Sequence, residues 1–134
     1  MADLNGRLKD VLRTRPGVQS RRGRYHAAMA VRDLIIVGAG PSGLSAAIAA
    51  KQRGLDYQVL ERGMLVNSIY HFPPQMVFFT TPELLEIGGL PFMSPYDKPT
   101  RAEALRYYRK VVDKYDLQIA FNETVLSITR EPHD

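Results

Sequence analysis

Four apolar residues, Leu34-Ile35-Ile36-Val37, run without a polar interruption into Gly38-Ala39-Gly40-Pro41-Ser42-Gly43. A strand buried on both faces reads as a continuous apolar run, and this one opens straight onto a glycine-rich turn. An alanine-rich segment follows to Gln52, then a second apolar run that ends in Leu60-Glu61-Arg62. Buried strand, glycine turn, helix, strand and acid, in that order, are the parts of a dinucleotide-binding βαβ unit.

Each position has a physical task in that unit. Gly38 turns the chain sharply from strand to helix with a φ that a Cβ disfavours. Gly40 carries no side chain, so a pyrophosphate can approach the backbone, and Gly43 lets the new helix press onto the strand. The helix N-terminus offers free N–H groups and the positive end of its dipole. Pro41 suits the first turn, where its missing N–H is no loss. Ser42 adds a hydroxyl within reach of a phosphate oxygen. The small residues Ala46, Ala47, Ala49 and Ala50 allow close packing on a sheet, and Gly54 closes the helix. Glu61 lies 18 residues past the third glycine, close to the spacing expected of the acid that accepts both ribose hydroxyls. The competing reading of the motif is an ordinary tight βα turn, and of Glu61 a solvated strand-end acid.

The chain has 134 residues, enough for one domain, and no cysteine. Disulfides, thiolate metal sites and thiol nucleophiles are therefore excluded within it, and no metal site is expected. No apolar run is long enough to span a membrane and no secretory h-region is visible, so the expectation is a cytoplasmic protein. The net charge of +4 is unevenly spread. Residues 1–28 carry seven basic residues against Asp3 and Asp10, for +5, and the remainder sums to −1. The readings of this arm are a disordered extension, residues translated ahead of a natural start at Met29, an organellar targeting segment, or a nucleic-acid contact. The absence of aromatic interleaving counts against nucleic acid, and the two aspartates count against targeting.

Along the chain, the patterns predict strands over 34–37 and 57–61 with a helix over 42–52 between them. Residues 62–99 hold six prolines, Pro73, Pro74, Pro82, Pro91, Pro95 and Pro99, which forbid long helices. The segment is nevertheless rich in Phe, Tyr, Met and Leu, so it is expected to wrap something rather than to hang free. Thr100 and Glu103 have the spacing of a capping box. The helix they open is predicted to run to Tyr115 with Ala102, Leu105, Tyr108, Val112 and Tyr115 on its core face. Strands are predicted over 117–121 and 124–129.

The first motif resembles the FAD-binding domain of flavoproteins with two dinucleotide-binding domains, which include thioredoxin reductases and flavin monooxygenases. Further blocks narrow it: Val66-Asn67-Ser68-Ile69-Tyr70-His71-Phe72-Pro73, Phe78-Phe79-Thr80-Thr81-Pro82-Glu83, Leu85-Glu86-Ile87-Gly88 and Lys98-Pro99-Thr100-Arg101. With Ala104-Leu105-Arg106-Tyr107-Tyr108-Arg109, they resemble the bacillithiol-disulfide reductase family across roughly residues 30–130. The resemblance implies an α/β fold, a Rossmann-like FAD/NAD(P)-binding domain with three layers and a parallel sheet, here incomplete. It implies FAD as cofactor, NAD(P)H as reductant in the complete protein, and a low-molecular-weight disulfide as substrate. By the same resemblance Gly38, Gly40, Pro41, Ser42 and Gly43 face the FAD pyrophosphate, Glu61 and Arg62 lie at the adenosine ribose, and Asn67, Ser68 and His71 lie beside the flavin. Read from the residues alone, that block offers an amide, a hydroxyl, a phenol and an imidazole, with Ile69, Phe72, Phe78 and Phe79 to cover an apolar ring face. Its bland alternative is a set of satisfied loop residues. Some relatives carry cysteine where this chain has Ser42; a serine hydroxyl cannot do redox chemistry, and no catalytic residue is assigned.

No second glycine motif is present, so the NAD(P)H domain is absent from residues 29–134 and the chain is expected to be a fragment unable to turn over alone. The other readings are a flavin monooxygenase-like or amine-oxidase-like protein, a plain NAD-dependent dehydrogenase, an inactive truncated remnant, or a binding module acting through the basic arm. A homo-oligomer is compatible with all of them.

Overall fold

A computed structural model describes residues 31–130. The basic arm and the proposed start at Met29 lie outside the described residues. Three parallel strands, β1 (Leu34–Val37), β2 (Tyr57–Glu61) and β3 (Ile119–Phe121), form a sheet in the order β1-β2-β3. Helix α1 (Pro41–Gln52) crosses from β1 to β2, and α3 (Arg101–Tyr115) returns the chain to β3. Between β2 and α3 lie a single turn of helix, α2 (Asn67–Tyr70), and a 3₁₀ turn at Pro82–Leu85.

The strand register puts Ile36, Val59 and Ile119 in line on one face. Parallel crossovers are right-handed, so two consecutive crossovers that advance the sheet in one direction leave both helices on the same face. That face holds the core: Ile36 and Val59 pack with Leu44, Ala47, Ile48 and Ala50 of α1 and with Ala104, Tyr107, Tyr108 and Val111 of α3. On the opposite face Val37 is 57% exposed, and no helix among the described residues covers it. The fold is α/β and Rossmann-like, with two of its three layers formed by the described residues.

Local chemistry explains the element ends. Gly54 takes a φ of 69° just past α1, the left-handed conformation that glycine adopts without strain. The Thr100–Glu103 capping box is formed in both directions, with the Thr100 N–H donating to Glu103 Oε2 at 2.8 Å and the Glu103 N–H donating to Thr100 Oγ1 at 3.2 Å. In α1, Ala47 and Ala50 are buried while Ala46 faces solvent.

Two expectations need correction. The buried stripe of α3 is Ala104, Tyr107, Tyr108 and Val111. Leu105, Val112 and Tyr115 flank it half-buried and Ala102 is exposed, so the face is centred about one residue from the predicted stripe. The strand predicted over 124–129 does not form. Asn122 adopts a φ of 60° and turns the chain out of the sheet after β3, and Glu123 N–H donates instead to the Glu61 carbonyl at 3.0 Å. Leu126 and Ile128 are left 55% and 62% exposed.

The proline-rich stretch has a definite attachment. Tyr107 Oη accepts from Ile87 N–H at 2.8 Å and donates to the Leu90 carbonyl at 2.7 Å. Tyr108 Oη donates to the Leu85 carbonyl at 3.0 Å, and Tyr115 Oη to that of Gly88. Three phenols of α3 thus hold the 85–90 loop, and α3 is what the stretch wraps among the described residues.

Candidate nucleotide-binding site

At the C-terminal ends of β1 and β2 the sheet opens onto the glycine turn, the location where ligands of open α/β folds bind. Gly38 has a φ of 102°, and its N–H donates to the Leu60 carbonyl at 2.8 Å. A Cβ on Gly40 would meet no atom within 4 Å, so the backbone there borders open space. A Cβ on Gly43 would sit 2.0 Å from the Gly38 carbonyl oxygen. The third glycine is therefore the point where helix touches turn. In the first turn of α1, Pro41 has no N–H, and the first intrahelical bond runs from Leu44 N–H to the Gly40 carbonyl at 2.9 Å. The N–H groups of Ser42 and Gly43 remain without helical partners, as at any helix start. No acidic side chain stands in this turn and no side chain caps it. Ser42 is exposed beside them.

Glu61 is the one buried charged residue among those described, 6% exposed. Its Oε2 accepts the Ala39 N–H at 2.8 Å and its Oε1 accepts the Gly63 N–H at 2.7 Å. Each carboxylate oxygen keeps further lone-pair capacity. Glu61 borders a cavity of about 310 Å³ that is also lined by Val37, Gly38, Leu60, Glu123, Thr124 and Val125. Arg62 is exposed at its rim. The segment that fails to become a strand is the segment that walls this cavity.

The Asn67–His71 block divides. Val66 takes a φ of 46°, a conformation that strains a β-branched residue, and its N–H donates to the Ala39 carbonyl at 3.0 Å. That bond ties the start of α2 to the glycine turn. Asn67 Oδ1 accepts the Met64 N–H at 3.2 Å, so its amide oxygen shapes the loop before α2. His71 Nδ1 is 2.8 Å from the Asn67 carbonyl oxygen, and the ring meets Tyr70 edge-on. Ser68 and His71 are exposed. Ile69 is buried in the core, so it is not free to cover a ring, and Phe79, 92% exposed, stands apart from the Phe72–Phe78 edge contact.

One contributor escaped the sequence reading. Arg101, at the start of α3, donates from Nε to the Ile69 carbonyl at 3.2 Å and from a terminal nitrogen to that of Tyr70. Its guanidinium lies 5.5 Å from the centre of the Tyr70 ring. A cation thus holds the carbonyl end of α2, where a helix dipole favours one. Arg101 is more than thirty residues from its partners, and no local pattern announces the contact.

A parallel sheet, a glycine turn open at Gly40 and an acid at the end of β2 together define a Rossmann-like dinucleotide-binding unit. Residues 35–134 match the family described as pyridine nucleotide-disulphide oxidoreductase, and the chain belongs to that family. It is 52% identical over 80 residues to the bacilliredoxin reductase Bdr of Bacillus subtilis, a match that covers 60% of this chain and 25% of that protein. Bacillithiol disulfide reductase Bdr from Staphylococcus aureus superimposes with a TM-score of 0.70 at 44% identity, over 72% of this chain and 30% of that one. A flavin-containing monooxygenase from Stenotrophomonas maltophilia superimposes with a TM-score of 0.58 at 30% identity, over 66% of this chain and 28% of that one. The chain spans about a quarter of the length of the curated relatives it matches. The family is FAD-binding. Among the described residues no helix is long and apolar enough to cross a membrane, and no cluster of His, Asp or Glu is arranged to hold a metal.

Proposed function

We propose that this chain supplies the FAD-binding portion of an NAD(P)H-dependent flavoprotein reductase that acts on a low-molecular-weight disulfide in the cytoplasm, where thiols are kept reduced. The observation that carries the proposal is the contrast between two glycines: Gly43 is pressed against Gly38 while Gly40 borders open space at a helix N-terminus. The open side of Gly40 leaves the backbone accessible to a diphosphate, whose charge would be met by the free N–H groups of Ser42 and Gly43. Gly38 and Pro41 hold the turn in that shape. Glu61, anchored by Ala39 and Gly63, accepts the ribose hydroxyls with its remaining lone pairs, and Arg62 flanks the sugar at the cavity rim. Asn67 and Ser68 follow the strained Val66 within one turn of the site, and His71 closes the same turn; all three belong to the flavin side of the proposal. Bound FAD supplies hydride acceptance from NAD(P)H and electron delivery to the disulfide. This chain's residues bind and orient it, and nothing in them is assigned a proton-transfer step.

The 30% match to the plant indole-3-pyruvate monooxygenase YUCCA6 supports a monooxygenase as second reading. The 52% match to a reductase favours the first. Titration of the full chain with FAD, followed by flavin fluorescence, tests the site. Gly40→Glu places charge and bulk in the diphosphate position and is expected to abolish binding. Unchanged affinity in that variant refutes the assignment.

A further inference from the structure

A second groove, remote from the glycine turn, runs along the flank of α3 and encloses a cavity of about 580 Å³. We propose that it docks an extended acidic protein segment with carboxylates at alternate positions. Its floor is Phe92 stacked on Tyr107, the ring centres 4.5 Å apart and the planes 6° from parallel. One wall is apolar, formed by Leu90, Pro91 and Met93, and the other carries Arg106, Lys110 and Lys114. These three cations stand four residues apart on one face of the helix, a rise of about 6 Å per step. Side chains on one face of an extended peptide repeat every ~6.6–6.8 Å. Three alternate carboxylates therefore meet three cations with a drift below about 1 Å per step, which flexible lysine stems absorb.

The intervening side chains of such a peptide would face the apolar wall. Met93 is 85% exposed there, an unbranched thioether that adapts to varied neighbours. Glu103 also lines the groove as an anion; its carboxylate accepts from Thr100 and from Ser94 Oγ at 2.9 Å, and Arg106 acts on it electrostatically from beyond ion-pair distance, which leaves Lys110 and Lys114 as the cations without a carboxylate neighbour in the groove. Among the described residues, none of the three cations is within ion-pair distance of a carboxylate. A nucleic-acid strand presents charges at comparable spacing, yet it binds such grooves by stacking bases on open aromatic faces. Here both rings are buried against each other, 5% and 4% exposed.

Fluorescence anisotropy on the full chain tests this with a labelled peptide of alternating glutamate and leucine. Its controls are a permuted peptide with contiguous glutamates, an oligothymidylate of equal charge, and a lysine–leucine analogue. The alternating peptide is expected to bind most tightly and to weaken with added salt. Arg106→Gln with Lys110→Gln and Lys114→Gln is expected to weaken it roughly tenfold or more. Arg21→Gln with Arg22→Gln and Arg24→Gln in the arm is expected to leave it unchanged, and Lys110→Glu alone to gain affinity for the lysine–leucine peptide. Circular dichroism reports whether each variant keeps its helix; if the triple variant unfolds, Lys110→Glu decides. The proposal is overturned if the permuted peptide or the oligonucleotide binds as tightly. It is equally overturned if the arm variant loses the binding, or if neither α3 variant changes the preference.

Discussion

Alanine at position 43 is the sharpest probe of the turn. Its Cβ would lie 2.0 Å from the Gly38 carbonyl oxygen, 3.1 Å from the Gly38 carbonyl carbon and 3.5 Å from Ile36 Cγ2. The first distance must grow by at least about 1 Å before the contact is tolerable, and the atom struck is backbone, with no rotamer to swing away. Overpacking of this kind costs roughly 1–3 kcal/mol, and a backbone collision belongs at the upper end. Alanine's helix propensity returns about 1 kcal/mol over glycine, which leaves a net loss of about 1–2 kcal/mol. Position 40 predicts the opposite. Gly40 has φ −79° and ψ 177°, extended backbone open to any residue, and its added Cβ meets nothing. Gly40→Ala is therefore expected to change stability by less than about 0.5 kcal/mol. It should nonetheless weaken FAD roughly 10- to 100-fold, because the methyl intrudes on the diphosphate. Urea unfolding of the full chain, followed by far-ultraviolet circular dichroism, measures the stabilities, and flavin fluorescence measures the affinity. A Gly43→Ala chain with the parent's midpoint would show that helix and turn are not in contact. A Gly40→Ala chain with undiminished FAD affinity would show that the ligand lies elsewhere.

Tyr108→Phe strands the Leu85 carbonyl that now accepts from Tyr108 Oη, and is expected to lower the urea stability by about 1–2 kcal/mol. Burial pushes the Tyr108 phenol up to about 12 from an ordinary value of 10.0, and burial also raises Tyr107. Both groups favour the protonated fold, so their contribution is intact below pH 10.0 and is lost as pH rises toward about 12. The part of the tyrosinate absorbance that is lost in Tyr108→Phe should appear together with the far-ultraviolet change in that window; ionisation of Tyr108 without unfolding contradicts this. The Thr100 backbone N–H holds the Glu103 carboxyl below its ordinary value of 4.5, a stabilisation present above that pH and lost as pH falls below it. Glu103→Gln should flatten that acid limb of the stability profile. Arg101→Ala frees the carbonyls of Ile69 and Tyr70, and amide exchange across 67–72 should accelerate while that of β2 stays unchanged.

The parts of the fold that were legible in the residues are those whose causes are local. β1 is a continuous apolar run that ends at a glycine, β2 an apolar run interrupted at Gln58 that ends in an acid, and both formed over the predicted ranges. The capping box pairs two residues one turn apart, and both of its bonds are present. What failed needed distant partners. The 124–129 stretch has the apolar residues of a strand, but strand formation requires a neighbour, and Asn122 steers the chain away from one. The short α2 is a single turn and has no periodicity to detect; its ends are set by Val66 bound to the glycine turn and by Arg101 reaching back from α3. For the site, the glycine spacing was readable because each glycine answers to its own backbone geometry. That Glu61 would spend a hydrogen bond on Ala39 was not readable, since the two residues meet only once β1 and β2 have paired.

That meeting has a thermodynamic corollary. One carboxylate rivets the turn after β1 to the loop after β2, and the same group borders the cavity proposed for the ribose, so occupancy of that cavity and loop order would be linked through a single anion. Whatever settles against Glu61 stiffens residues on either side of the sheet's mouth, from Ala39 through Gly63 to the strained Val66. The ligand becomes the keystone of the arch that receives it.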